Sequence, residues 1–196
     1  MLLPIETERL ILRRFTIEDV GDIYQFATDP SISQHLNGFP GKSVEEIRDY
    51  IAQQNCFSPG DLGKCFDLAV HLKAEEKVIG LVTLVTHESY QGEVGFALNT
   101  AYQRQGYATE AVCAVLEYGF IALKMHRIFA RTGRQNISSW LLLERVGMRR
   151  EGLFVHDHQE EGQWQDTFIY ALLAGEWMES DERCLHTIIS GGTLAG

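Results

Sequence analysis

Leu10 and Leu12 alternate with Ile11 and Arg13, and this period of two predicts a strand over Arg9–Phe15. Helical spacing follows. Val20, Ile23, Tyr24 and Ala27 form an apolar stripe behind Thr16 and Asp19, a capping pair, and Asp29-Pro30 stops the helix. Ser43 and Glu46 repeat the cap, with Val44, Ile47 and Ile51 carrying a second amphipathic helix and Asn37–Gly41 reading as loop. Strand-like runs at Phe66–Leu72 and Val78–Thr86 flank the polar Lys73–Lys77 as a hairpin, and Glu93–Asn99 follows the Ser89–Gly92 turn. The order then changes. Gly106–Leu123 predicts a helix with a broad apolar face, Arg127–Thr132 a strand, and Asn136–Val146 a helix stopped by Gly147; Met148–Val155 and Trp164–Leu173 predict a last hairpin. A meander joined to such a half predicts an α/β (α+β) fold, with a mixed sheet and helices on its faces.

Composition narrows the classes. The 196 residues carry 17 Lys+Arg against 27 Asp+Glu, a net charge of −10. That balance argues against nucleic acid as a partner, since phosphates need clustered Lys and Arg. The apolar runs Val78–Val85 and Tyr170–Ala174 are far shorter than the roughly 20 residues that span a bilayer, so no membrane partner is expected. Met1–Ile5 runs straight into charged residues and does not read as a signal peptide. After Trp177 the chain turns polar, so one domain over residues 1–178 with a tail at 179–196 is expected.

Cys56, Cys65, Cys113 and Cys184 show no C-x-x-C spacing, which excludes a zinc ribbon; Cys113 reads as a small buried hydrophobe, and the expected compartment is the cytoplasm. His156 and His158 flank Asp157, but no third ligand is evident and no metal is expected. Trp140 reads as a packing residue, and Trp164 as packing or as a wall of an acceptor cleft.

The chemistry concentrates in Gly92–Glu110, G-E-V-G-F-A-L-N-T-A-Y-Q-R-Q-G-Y-A-T-E. A strand ends near Asn99, and a short loop leads to Gln103-Arg104-Gln105-Gly106-Tyr107-Ala108 at a helix opening. Free N–H groups and the helix dipole favour a phosphate there, and Gly106 and Ala108 leave the backbone open. The segment lacks G-K-[ST] and the first glycine of a dinucleotide fingerprint.

The strand E-V-G-F-A-L with Q-R-Q-G-Y-A-T-E-A resembles the acetyl-CoA site of the GNAT N-acetyltransferase superfamily. Asn136–Met148 matches N-x-x-S-x-x-[LV]-x-E-[KR]-x-G-[MF] of its RimJ/RimL-like branch, the ribosomal-protein N-terminal acetyltransferase-like group. The opening T-E-R-L-I-L-R-R-F and the late Y-A-L-L-A-G-E-W fit as well, so the resemblance runs over Thr7–Trp177. It implies a sheet whose fourth and fifth strands splay apart, with acetyl-CoA as cosubstrate in the gap. The pantetheine arm would lie along Phe96, Ala97 and Leu98, and the pyrophosphate on Gln103, Arg104, Gln105, Gly106, Tyr107, Ala108 and Thr109. Asn136, also a natural N-cap, would contact the coenzyme arm.

Transfer to an amine needs the free lone pair, hence a proton acceptor, and Glu93 on the strand entering the site is the expected base. Glu110, Asp157, Glu160 and Asp166 come next. The N–H of Leu98 would meet the thioester oxygen. Many relatives in the superfamily place a tyrosine seven residues after the asparagine; Leu143 stands there and cannot donate, which leaves Ser139 as the hydroxyl facing the thiolate. The expected acceptor is a peptide or protein N-terminal α-amine, with a polyamine or antibiotic amine as the alternative and a non-catalytic acyl-CoA-binding module as the competing class. A monomer or homodimer is expected.

Overall fold

The computed structural model describes residues 3–33, 43–88, 90–160 and 162–179. Leu10 and Leu12 are fully buried while Ile11 and Arg13 keep partial exposure, as their alternation requires of a strand with one face on the core. That strand, β2 (Leu10–Arg13), pairs with a two-residue β1 (Ile5–Glu6) that the sequence pattern did not announce. β3 (Cys65–Leu72), β4 (Lys77–His87), β5 (Gln91–Leu98), β6 (Arg127–Gly133), β7 (Arg149–Glu160) and β8 (Gln163–Leu173) complete one sheet, in the order β1-β2-β3-β4-β5-β6-β8-β7. Every neighbouring pair is antiparallel except β5 and β6.

Helices cover both faces. On one, α1 (Val20–Ala27), α2 (Pro30–Ser33) and α3 (Val44–Gln54) bury Ile23, Phe26, Ile47 and Ile51 against Ala69 and Leu81. The caps form as their residues dictate. Glu46 N–H donates to Ser43 Oγ at 3.1 Å, and Thr16 N–H to Asp19 Oδ2 at 2.7 Å. Asp19 is held besides by a bidentate Arg13, and a short 3₁₀ turn (Ile17–Asp19) precedes α1. Tyr24 and Val44, at stripe positions, stay 39 % and 36 % exposed, so the apolar faces are narrower than the spacing suggested.

On the other face, α4 (Tyr107–Glu117), α5 (Ile137–Arg145) and α6 (Ala174–Glu179) pack over the larger core, with Trp177 against Phe120. α4 runs on into a π-helical turn, Tyr118–Ala122. A Cβ on Gly119 there would come 2.6 Å from Ile128 Cδ1, so the glycine lets the turn lie close to β6. Cys113, on α4, is buried as expected, and Cys56 and Cys65 are free and exposed. Among the described residues no helix is long and apolar enough to cross a membrane. The Asn37–Gly41 loop and the tail after Glu179 lie outside them.

Candidate active site

β5 and β6 pair over three residues only, Gln91, Gly92 and Glu93 against Arg127, Ile128 and Phe129. Beyond Glu93 the two strands part, while β5 keeps its partner β4 through Leu98. These are the fourth and fifth strands of the sequence-derived order, shifted to fifth and sixth by the extra β1.

Main-chain direction along the open edge follows from one bond. Asn99 N–H donates to the Ile79 carbonyl at 2.8 Å, so residues 99, 97 and 95 face β4 and residues 98, 96 and 94 face the gap. For Ala97 only the main-chain part of the expectation changes: its carbonyl lies where a Cβ on Gly80 would clash, turned toward β4, while the residue still lines the cavity on the α4 side. Phe96 and Leu98 face the gap, and the Leu98 carbonyl accepts from Gln103 Nε2 at 3.1 Å. The Gln103 N–H is also engaged, with Thr100. Gln103 therefore braces the strand end.

Gly106 opens α4 at φ +85°, a left-handed conformation, and Arg104 two residues earlier sits at φ +60°. The N–H groups of Gly106, Tyr107, Ala108 and Thr109 have no acceptor among the described residues, since the first helical bond runs from Glu110 N–H to the Gly106 carbonyl at 3.0 Å. Left-handed residues followed by free helix N–H groups form a concavity suited to an anion.

Two sequence-derived residues turn their side chains elsewhere. The Tyr107 ring lies under Arg9 at 4.5 Å, and Gln105 Nε2 donates to the Ala101 carbonyl at 3.1 Å. Glu110, buried in the first turn of α4, accepts from Thr7 Oγ1 at 2.5 Å, Arg9 N–H at 2.9 Å and Arg9 Nε at 2.6 Å. That network takes Glu110 out of the proton-accepting candidates. It also accounts for Thr7 and Arg9 of the opening motif, which tie β1 and β2 to the start of α4.

A cavity of about 820 Å³ joins these parts. Phe96, Leu98, Arg104, Gly106, Asn136 and Ser139 are among its walls, together with Arg145, which the sequence reading missed although it stands in the second motif. Among the described residues its walls carry two arginines and no carboxylate.

A second cavity, about 980 Å³, lies between β5, β6 and the β7–β8 hairpin. Glu93, Arg131, Asp157, His158 and Glu160 line it, so its charges are mainly negative. Among the described residues the two share Phe96, Asn136 and Ser139 alone. Asn136 Oδ1 caps α5 by accepting from Ser139 N–H at 3.2 Å, which holds the start of α5 beside the gap. Ser139 Oγ has no protein partner among the described residues, and Leu143 lines the second cavity.

Glu93 Oε2 lies 3.2 Å from His87 Nε2. Asp166 pairs with Arg134 and receives the His156 N–H, which removes it from the proton-accepting candidates. Trp164 is 56 % exposed and lines neither cavity, because its neighbours Gln163 and Gln165 take the inward positions. Trp140 is half-buried in packing, with no partner for its ring N–H among the described residues. No group of three metal-ligating side chains occurs among the described residues.

Residues 9–149 match the model of the acetyltransferase (GNAT) domain. An uncharacterized N-acetyltransferase of Bacillus subtilis, YnaD, is 33 % identical over 174 residues, 88 % of this chain and 98 % of that one. The [ribosomal protein uS5]-alanine N-acetyltransferase of Escherichia coli is 28 % identical over 88 % of this chain and 92 % of its own. A GNAT-family acetyltransferase structure from Bacillus anthracis superposes with a TM-score of 0.78 at 28 % identity, covering 88 % of this chain and 99 % of that one.

Proposed function

The chain belongs to the GNAT family of N-acetyltransferases, which use acetyl-CoA, and from that premise we propose that it acetylates the N-terminal α-amine of a peptide or protein. One observation carries the reading. Among the described residues, the cavity on the α4 side has two arginines and no carboxylate, while the cavity on the hairpin side is mainly acidic, and they meet at Phe96, Asn136 and Ser139. A polyanionic coenzyme suits the first and an ammonium the second.

In this reading the pyrophosphate rests on the free N–H groups from Gly106 to Thr109, with Arg104 and Arg145 adding charge. The pantetheine arm pairs with Phe96 and Leu98 along the open edge, and the Leu98 N–H meets the thioester oxygen as charge builds on it. Glu93 takes a proton from the entering ammonium, the amine nitrogen attacks the carbonyl carbon, the C–S bond breaks, and Ser139 protonates the sulfur. The α-amine is favoured over lysine by its acidity. At neutral pH about a tenth of α-amines are already free, against well under about a thousandth of lysines. The activity named for the Escherichia coli relative, on an alanine of a ribosomal protein, supports a peptide acceptor.

The test is mass spectrometry of lysine-bearing peptides with free and with blocked N-termini, after incubation with acetyl-CoA and the protein. Label on free termini alone is expected. Label on blocked peptides as readily would overturn the α-amine assignment, and label on neither, with small amines consuming acetyl-CoA, would move the acceptor to that class.

A further inference from the structure

β7 and β8 pair unevenly. Phe154 lies opposite Thr167 and His158 opposite Gln165, so Val155, His156 and Asp157 face the single residue Asp166. The excess is clamped in place. His156 sits at φ +51°, its N–H donates to Asp166 Oδ1 at 3.0 Å, and Asp166 Oδ2 pairs with Arg134 at 3.1 Å. Adjacent strand residues ordinarily point to opposite faces. Here the bulge brings Asp157 and His158 together on one hydroxyl, Thr167 Oγ1, the kind of re-aiming that bulges perform beside active sites.

The resulting network has a direction. Asp157 Oδ1 accepts from Thr167 Oγ1 at 2.8 Å and from His158 Nδ1 at 3.1 Å. Burial pushes the Asp157 carboxyl up, but the bonds from His158 and Thr167 outweigh it and hold the carboxyl below the ordinary range. In the neutral imidazole an ionised Asp157 holds the proton on Nδ1, which places the lone pair on Nε2. His158 and Asp157 line the acidic cavity, as Glu93 does from β5.

We propose that His158, positioned by Asp157, is a second proton acceptor of the acetyl transfer. The proposal rests on the transfer reading above, and the stoichiometry calls for it. An ammonium becoming an amide loses two protons from one nitrogen. The first leaves before the lone pair can attack and goes to Glu93. The second leaves as the C–N bond forms and the C–S bond breaks, and goes to His158 Nε2. Ser139 gives its proton to the departing sulfur and regains one from solvent, so each turnover releases one proton net. The charged groups facing His158 are Asp157 and Glu160 from its own strand, Glu93 from β5 and Arg131 from β6, while β8 and α5 present neutral side chains.

The experiment measures amine-dependent thiol release by the full chain, at saturating acceptor between pH 6 and 9, for wild type, His158→Gln and Asp157→Asn. CoA affinity and thermal midpoint are taken for each. His158→Gln should lose about 10²-fold in kcat at neutral pH with CoA affinity kept, and the acid limb of its pH profile should flatten. Asp157→Asn, which keeps the imidazole, should show a smaller loss and a displaced limb, and serves if the first variant fails to fold. A folded His158→Gln protein with wild-type kcat and an unchanged pH profile would overturn the proposal. Wild type that releases no thiol with any amine would overturn the transfer reading, and the proposal with it.

Discussion

Glu93 and Phe129 form the last rung of the parallel ladder between β5 and β6, and the next residue on each strand begins the gap. Glu93 thus stands where the acidic cavity begins, with its carboxylate 3.2 Å from His87 Nε2. Replacing it tests its assigned role. Glu93→Gln should lower turnover by roughly 10²-fold with CoA affinity unchanged. The loss should shrink as pH rises and free amine becomes plentiful without help. Steady-state kinetics across pH decide this, and a loss independent of pH would remove Glu93 from the proton path.

The proposed coenzyme side rests on charge. Arg145→Gln should weaken CoA binding by about 10-fold, on the order of 1.4 kcal/mol, and reduce its salt dependence. The kcat at saturating acetyl-CoA should stay near wild type. Titration calorimetry at two salt concentrations reads both effects.

Glu110 joins α4 to the opening strands through Thr7 and Arg9. Glu110→Ala should destabilise the fold by roughly 2 kcal/mol, because it removes the acceptor shared by the Thr7 hydroxyl, the Arg9 N–H and the Arg9 guanidinium. It should also loosen the start of α4, so CoA affinity falls in the same variant. Urea denaturation and CoA titration measure the pair, and a loss of stability with full affinity would separate the brace from the anion cradle.

Asp19 gives a pH dependence of known sign. Burial pushes its carboxyl up, but the bidentate Arg13 and the Thr16 N–H hold it below the ordinary range. A carboxyl depressed in the folded state contributes stability above the unfolded value near about 3.9 and loses it as pH falls through the folded value. Asp19→Asn should therefore be less stable than wild type at pH 7, by roughly 2 kcal/mol, with the gap narrowing in acid below about pH 4. Denaturation midpoints at the two pH values check it.

Local signals carried most of the fold. Leu10 and Leu12 announced a strand, and Ser43 with Glu46 a helix start, because each depends on neighbours in the chain. The opening of α4 was legible for the same reason, as Gly106 and the residues around it are contiguous. The rest depended on distant partners. Glu110 resembled a free carboxylate until Thr7 and Arg9, about a hundred positions away, were found bonded to it. Ala97 looked like its neighbours Phe96 and Leu98, and only the pairing with β4 shows which of them face the gap. The bulge at His156 leaves no periodic trace, since it is fixed by Asp166 and Arg134 from other elements.

Two cavities that meet at Phe96, Asn136 and Ser139 have a kinetic consequence. With the coenzyme in one and the amine in the other, as proposed above, each substrate has its own doorway, and neither has to depart before the other arrives. The acetyl group should then cross in a complex holding both, with no acetylated enzyme between. Initial-rate lines at several fixed concentrations of one substrate should intersect rather than run parallel. Free CoA should compete with acetyl-CoA and not with the amine, and the acetylated product should compete with the amine, each product blocking the door by which its parent came in.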